Sequence, residues 1–189
     1  MDTLLSVAIG VGLSAACGFR VFVPLLVAGV AARAGFLTLA PGFEWFGSEP
    51  ALIALGTATV LEVLAYLIPG MDHLLDIIAT PTAVMAGILA SAAVLIDLPP
   101  ALRWGLAVIA GGGAAGLVQG ASVLLRLQSA ALSGGIGNPV VALFELAASL
   151  LTSLVAIALP LLAVALILAL CVLVFRVAGR FLFGRRRSF

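Results

Sequence analysis

Apolar stretches long enough to cross a lipid bilayer recur along this chain and limit the folds open to it. An α-helix needs about 20 predominantly apolar residues to span the hydrocarbon core. The run from Val140 to Val174 has 35 residues with one charge, Glu145. Of the 189 residues 64% are hydrophobic and 9% are charged, which is too little charge for the surface of a soluble domain. The sequence therefore predicts an all-α, polytopic membrane protein embedded in the lipid bilayer.

Six transmembrane helices are predicted within a single membrane domain, residues 1–184. A basic cytoplasmic tail, residues 185–189, follows this domain. The long apolar run is divided at Pro160, where a hairpin would turn, because it is too long for one span. The predicted spans are 4–32, 50–69, 81–97, 103–126, 139–159 and 160–180.

The segment 71–80 is polar enough to be treated separately from the spans. It contains Asp72, His73 and Asp76 and is too short to cross a bilayer. We expect a short helix that lies at the interface or enters the membrane partway. The third span then starts at Thr80-Pro81, with a capping residue followed by proline at the first helical position.

The first span contains the stretch LSAACGFRVFVPLL, residues 13–26, whose small residues before a cysteine are similar to the end of a secretion signal. A signal needs a positively charged start, but this chain has Asp2 and no cation before Arg20. Ser14 also occupies the position where lipoprotein processing usually requires leucine. We therefore predict that residues 4–32 are retained as the first membrane helix.

Arginine placement predicts the orientation in the membrane. Arginines accumulate on the cytoplasmic side of membrane proteins, so the group at the end of the chain predicts a cytoplasmic C-terminus. Six spans would then place the N-terminus there too. Arg126 falls inside in this arrangement, and Arg33 and Arg103 fall outside. The terminal arginines are Arg176, Arg180, Arg185, Arg186 and Arg187.

The pattern contains a hint of internal duplication. Residues 1–97 and 101–184 each contain three predicted spans, and in each half the second span starts at a proline and carries one glutamate, Glu62 or Glu145. Halves of three spans would have opposite orientations, as in the inverted repeats of many transporters. Two inverted three-helix repeats are therefore expected as an alternative to six unrelated spans.

Three charged residues lie away from the ends of the predicted spans, namely Arg20, Glu62 and Glu145, and Asp76 is a candidate fourth, depending on how deep its segment lies. A charge at the centre of a span costs about 2.5–3.5 kcal/mol, so such residues normally face the protein interior and have a partner or a role. Further polar residues of the apolar spans and their starts are expected to join this interior. They are Gln119, Ser149, Thr152 and Asn138.

Small residues mark two expected helix-packing faces. Gly12 and Ala16 lie one and two turns before Arg20 and would let another helix approach closely. Gly112, Gly116 and Gly120 form two overlapping GxxxG spacings, which is a fairly specific sign of close packing. This glycine seam does not say whether its partner is in the same chain, so a homo-oligomer is one alternative.

The chain offers little chemistry beyond these charges. Cys17 and Cys171 each lie in an apolar run and form neither a disulfide framework nor a metal spacing. Phosphate-binding loops, serine-hydrolase elbows and zinc-protease motifs are missing from the sequence. We therefore expect no enzyme activity, no cofactor and no metal site, and the lack of a basic patch with aromatic residues predicts no nucleic-acid partner.

Three segments resemble a widespread family of bacterial inner-membrane proteins known only as a domain of unknown function. They read GLSAACGFRVFVPLL near the start, DIIATPTAVMAG in the middle and GNPVVALFELAASLLTSLVAIALP near the end. The resemblance covers nearly the whole chain, implies a single domain in the bacterial inner membrane and implies no substrate. It points to signature positions at Arg20, Asp76, Asn138, Pro139 and Glu145.

Two functions remain open from these residues. The first is a transporter or channel for a small solute, an ion or an anionic lipid, whose path is lined by the buried arginine and glutamates. The second is a structural or assembly protein of the membrane, in which the same charges form closed salt bridges that fix helix packing.

Overall fold

The computed structural model describes residues 3–68 and 71–183, with the side chains of 72–73, 174–175 and 177–183 outside this description. The predicted basic tail, 185–189, also lies outside the described residues. Over the described part, the chain forms seven α-helices and no strand, so the all-α prediction is confirmed. The helices are α1 (Thr3–Cys17), α2 (Phe22–Arg33), α3 (Glu49–Tyr66), α4 (Asp72–Val94), α5 (Pro100–Ser133), α6 (Asn138–Ala158) and α7 (Pro160–Phe183).

Four of these helices, α3 to α6, contain segments of 18 or more residues that are apolar enough to cross a membrane. In α4 the apolar segment is Leu74–Val94, and in α5 it is the whole helix of 34 residues. The exposed surface of the bundle is rich in leucine, isoleucine and valine. An apolar exterior of this kind is suited to lipid rather than to water.

The prediction that residues 4–32 form one helix is wrong. The chain leaves the helical conformation after Cys17 and resumes it at Phe22, so α1 and α2 are separate helices of 15 and 12 residues. At 1.5 Å per residue they are about 22 and 18 Å long, each shorter than the ~30 Å hydrocarbon core. Neither helix alone is long enough to cross a bilayer.

Helix α2 returns towards the end of the bundle at which α1 begins. A Cβ added to Gly10, in α1, would lie 3.3 Å from a side-chain atom of Val94 at the end of α4. After α2, the N–H of Ala40 donates to the carbonyl of Ala93, at 2.7 Å. Helices α1 and α2 therefore form a hairpin that is open at this end, and its turn, residues 18–21, is the hairpin tip.

The two ends of the bundle differ in their side chains. At the open end of the hairpin, Phe43 contacts Trp104 with ring centroids 6.1 Å apart, and we call this the aromatic end. The opposite end contains Tyr66, Asp76 and Arg126, and we call it the charged end. Helices α3, α5 and α7 run from the aromatic end to the charged end, and α4 and α6 run back.

Helix α4 corrects two boundaries of the prediction. The segment 71–80 is not a separate interfacial helix, because it is continuous with the predicted third span in one helix that contains Pro81. Thr80 therefore does not cap a helix start, and its hydroxyl donates to the carbonyl of Asp76 one turn earlier, at 2.7 Å. This continuity places Asp76 on a long helix that packs against the hairpin.

The second half of the chain follows the prediction more closely. The predicted spans 139–159 and 160–180 correspond to α6 and α7, which meet at Leu159-Pro160. The predicted span 103–126 is longer in the structure, Pro100–Ser133, and includes a π-helical turn, Ala107–Gly112. The half-repeats 1–97 and 101–184 begin with different elements, a hairpin in the first and one continuous helix in the second, and internal duplication stays a prediction.

Small residues bring α1 against its neighbours. A Cβ added to Gly12 would lie only 2.5 Å from the Cβ of Ala156 in α6. On another face, the hydroxyl of Ser14 donates to the carbonyl of Gly87 in α4, at 2.6 Å. A Cβ on Gly18, at the tip, would lie 2.5 Å from the backbone oxygen of Ala115. These close approaches hold the hairpin tip inside the bundle.

The predicted glycine seam packs partly within the chain. A Cβ on Gly112 would meet Ile88 of α4 at 3.1 Å, and one on Gly116 would meet Val84 at 3.4 Å. Gly120 has nothing within 4 Å of its added Cβ. The in-chain partner of the seam is therefore α4, and Gly120 packs against nothing in the part of the chain that the structure describes.

Candidate functional site

Arg20, in the hairpin tip, is buried inside the bundle with 1% of its surface exposed. Its Nη2 donates to the carbonyl of Ala142 in α6, at 2.8 Å. The same nitrogen lies 3.5 Å from Oε2 of Glu145, one turn further along α6. Because the first predicted span is interrupted at the hairpin tip, the guanidinium of Arg20 lies beside a carboxylate of another helix, α6.

Tyr66 contacts two arginines through its ring. It is the one buried residue of α3, and its ring centroid is 4.1 Å from Cζ of Arg20 and 4.4 Å from Cζ of Arg126. A cation over an aromatic ring is attracted by the electron density of its face, by up to about 2 kcal/mol where water is excluded. The ring thus offers a favourable contact to two like charges that repel each other.

Arg126, in α5, is held by carboxylates from two helices. Its Nε donates to Oε1 of Glu145 at 3.0 Å, and its Nη1 contacts Oδ1 of Asp76. The hydroxyl of Tyr66 donates to the same Asp76 oxygen at 3.1 Å. Glu145 thus connects Arg126 to Arg20, and the five residues Arg20, Tyr66, Asp76, Arg126 and Glu145 form one cluster, the ionic cluster.

Glu62 has a different role from the one that the sequence indicated. Its two carboxylate oxygens accept hydrogen bonds from the backbone N–H groups of Val21, at 2.8 Å, and Phe22, at 3.2 Å. These donors start α2, where a helix has free N–H groups and partial positive charge. The Glu62 carboxylate therefore caps the second helix of the hairpin from α3, and Glu145 is the carboxylate beside Arg20.

The other predicted site residues lie around this cluster or apart from it. The hydroxyl of Ser149 donates to the carbonyl of Ala16 at 3.0 Å and joins α6 to α1. Gln119 is buried, and its backbone lies against Gly18 at the tip. Asn138 is buried at the start of α6. Thr152 instead lines an apolar groove.

This groove is separate from the charges. It lies between α1, α5, α6 and α7, has a volume of about 150 Å³ and is lined mainly by aliphatic side chains, with Phe19 of the hairpin tip at its wall. None of the ionic-cluster residues lines it. The groove therefore does not provide a route to Arg20.

Two members of the ionic cluster were missing from the predicted path, namely Tyr66 and Arg126. Tyr66 is one helical turn after Glu62, on the same face, and this spacing is a signal for it. Arg126 was assigned to the end of a span. Its helix buries Gln119, Ser122 and Arg126, a spacing of three and four residues that marks one inward face.

Some buried polar atoms at the tip have no partner in the part of the chain that the structure describes. They are Nε and Nη1 of Arg20 and Nε2 of Gln119. A buried donor without an acceptor costs about 1–3 kcal/mol, and more if the group is charged. Native proteins satisfy nearly all such groups, so an unpaired guanidinium edge calls for a ligand or ordered water.

The described residues hold no group of three or more His, Cys, Asp or Glu side chains that is arranged to bind a metal ion. The ionic cluster itself is balanced, since Arg20 and Arg126 face Asp76 and Glu145. Burial of charges is costly unless they are paired and hydrogen-bonded. The arrangement can therefore hold two fixed cations in an apolar bundle and offer the unpaired edge of one of them to an anion.

The helix lengths, the apolar exterior and the buried ionic cluster are those of a polytopic α-helical membrane protein. The chain matches a described family over residues 7–180, nearly its full length. It belongs to this family, a domain of unknown function, DUF4126. No curated protein and no solved structure matches the chain.

Proposed function

We propose that this protein is a membrane transporter for a small solute and that the solute binds at the hairpin tip beside Arg20. One observation carries the proposal. The helical hairpin enters the bundle and returns, and its tip holds a buried arginine close to charges from three other helices. Two nitrogens of this arginine have no hydrogen-bond partner among the described residues. Interrupted helices of this kind form the substrate sites of many secondary transporters. The reaction is binding and translocation without chemical conversion.

The proposal includes a topology with five crossings, α3 to α7, and a re-entrant hairpin, α1 and α2. An odd number of crossings puts the ends of the chain on opposite sides of the membrane. The arginine rule applied to this arrangement assigns the charged end, with Arg126 and the C-terminal arginines, to the cytoplasm of a bacterial inner membrane. Arg33, Arg103 and the N-terminus are then outside.

Cysteine accessibility tests the proposal without knowledge of the substrate. In a background in which Cys17 and Cys171 are alanine, Ser122→Cys introduces a thiol one turn from Arg126 at the ionic cluster. Ser153→Cys is the matched control, an equally buried serine two turns from Glu145 towards the aromatic end. We expect a membrane-impermeant thiol reagent to label Ser122→Cys from the cytoplasmic side and to leave Ser153→Cys unlabelled.

A structural role is the second candidate, and one observation favours it. Arg126 is paired by two carboxylates, and one of them, Glu145, also lies 3.5 Å from Arg20, so the cationic charge of the cluster is already balanced within the chain. A purely structural cluster is dry and closed. If neither cysteine is labelled while both variants insert and remain folded, transport through this site is wrong and the structural role is supported.

A further inference from the structure

We propose that the unpaired edge of Arg20 binds a carboxylate or phosphate group of the transported molecule and that this group displaces Glu145 from Arg20. The inference rests on the proposed transport function and names the substrate class of its site. The displaced carboxylate remains bound to Arg126, so Glu145 acts as an exchangeable counter-ion.

The hydrogen-bond donors of Arg20 are only partly used within the described residues. Nη2 is used by the carbonyl of Ala142, at 2.8 Å, and the ring of Tyr66 covers one face of the guanidinium. Nε and Nη1 have no acceptor among the described residues, although the side chain is only 1% exposed. Guanidinium donors lie in the plane of the group and match the oxygens of carboxylates and phosphates. An acceptor is therefore needed in this plane, away from the ring.

Glu145 is bound unequally to the two arginines. Its Oε1 accepts from Nε of Arg126 at 3.0 Å, within hydrogen-bonding distance. Its Oε2 lies 3.5 Å from Nη2 of Arg20, where a charged pair attracts without a formed hydrogen bond. An incoming anion would thus compete with the weaker of the two contacts, and Arg126 would keep Glu145 in place.

Arg126 is a poor alternative for the anion. Its Nε and Nη1 are both used by carboxylates, of Glu145 and Asp76. Glu62, the nearest acid on α3, is held by the backbone N–H groups of Val21 and Phe22 and does not occupy the edge of Arg20. Of the two guanidinium groups in the cluster, that of Arg20 is therefore the one with unpartnered buried donors, which assigns the anion to Arg20.

The charge balance gives the inference a distinctive consequence. With Glu145 neutral, the four charged groups of the ionic cluster would change from a net charge of zero to one positive charge. Removal of the negative charge close to Arg20 should strengthen anion binding, since charges a few ångströms apart interact strongly in the low-dielectric interior of a protein. If the cluster only supports the fold, no gain in anion affinity is expected.

The experiment measures binding of inorganic phosphate and of acetate to the purified full-length protein by isothermal titration calorimetry. We expect Glu145→Gln to bind the preferred anion about tenfold more tightly than the unmodified protein. Arg20→Gln should lose binding, and the exposed Arg33→Gln, the matched control, should leave it unchanged. If Arg20→Gln does not fold, Arg20→Lys replaces it and should weaken binding about tenfold, because lysine lacks the planar fork.

A second arm separates a free anion from a lipid headgroup. Phosphatidylglycerol in nanodiscs is titrated against the same variants, with phosphatidylcholine as the neutral lipid. Arg20-dependent binding of either the small anions or phosphatidylglycerol supports the inference and identifies the source. Absence of anion binding, or equal affinity in the unmodified protein and Glu145→Gln, overturns it. If the inference fails in this way but Ser122→Cys is labelled, the proposed transport function still holds for a solute that is not an anion.

Discussion

Cζ of Arg20 lies 4.1 Å from the ring centroid of Tyr66, and this contact joins the hairpin tip to α3. Cζ of Arg126 lies 4.4 Å from the same centroid. Two guanidinium groups in an apolar bundle thus contact the single aromatic side chain that α3 buries. The stability of the hairpin in its re-entrant position should depend on this ring.

Tyr66→Leu should destabilise the fold more than Tyr66→Phe. Leucine removes both cation–ring contacts, worth about 2 kcal/mol or more in a water-excluded site. Phenylalanine retains the ring and loses one hydrogen bond to Asp76, worth about 1 kcal/mol. Unfolding in mixed micelles titrated with a denaturing detergent measures both losses. Equal losses in the two variants would show that the ring face does not stabilise the cluster.

Glu62→Gln should weaken the start of α2. The carboxylate accepts two backbone hydrogen bonds there, and a charged acceptor contributes about 1.5–3 kcal/mol to such a bond. Glu49→Gln is the control. Glu49 is exposed in the first turn of α3, the helix that also carries Glu62, and its charge there stabilises the helix by about 0.5 kcal/mol. The unfolding titration compares the two, and hydrogen exchange should increase at Val21 and Phe22 only in Glu62→Gln. Equal exchange in the two variants contradicts the capping role.

Gly87→Ala should destabilise the packing between α4 and α5. An added Cβ would lie 2.5 Å from the Cβ of Ala115 and 3.0 Å from the backbone oxygen of Gly111. Overpacking of this kind costs about 1–3 kcal/mol. Gly56→Ala, within α3, meets nothing within 4 Å and should gain about 0.5 kcal/mol from helix propensity. A Gly87→Ala protein as stable as Gly56→Ala would show that the helices are not in close contact.

The two ends of the chain should lie on opposite sides of the membrane. Five crossings and a re-entrant hairpin place the N-terminus outside and the C-terminus in the cytoplasm, whereas six crossings would place both in the cytoplasm. Alkaline phosphatase fused to either end reports the side, because it is active only outside the cytoplasm. Activity of the N-terminal fusion alone is expected. Inactivity of both fusions would support six crossings and show that residues 4–32 cross the membrane once instead of returning as a hairpin.

The sequence predicted the class of the fold because hydropathy depends on local composition. It also indicated which face of the first helix carries small residues and that Arg20 shares this face, since Gly12, Ala16 and Arg20 are spaced four residues apart. The break at residues 18–21 was missed because a crossing helix and two shorter helices in a hairpin have the same apolar composition. The returning direction of α2 depends on contacts with Val94 and Ala93, far along the chain.

The partners within the cluster were predictable only in part. That buried charges need partners follows from their cost in a bilayer, and this singled out Arg20, Glu62, Asp76 and Glu145 for an interior. Arg20, Asp76 and Glu145 are buried in the structure, and Glu62 is half-buried. Which carboxylate lies beside Arg20 depends on how α3 and α6 meet the hairpin tip. Glu62 faces the backbone of α2 rather than the guanidinium, and a spacing along the sequence contains no information on that choice.

Uptake into proteoliposomes tests the central claim, that an anionic solute passes through a site built on Arg20. Radiolabelled phosphate and short-chain carboxylates are offered to vesicles that contain the unmodified protein, Arg20→Gln or the control Arg33→Gln, each at equal and verified insertion. We expect uptake of at least one anion by the unmodified protein and by Arg33→Gln, and uptake at the level of empty vesicles by Arg20→Gln. Uptake that persists in Arg20→Gln, or no uptake of any anion by the unmodified protein, would contradict the claim.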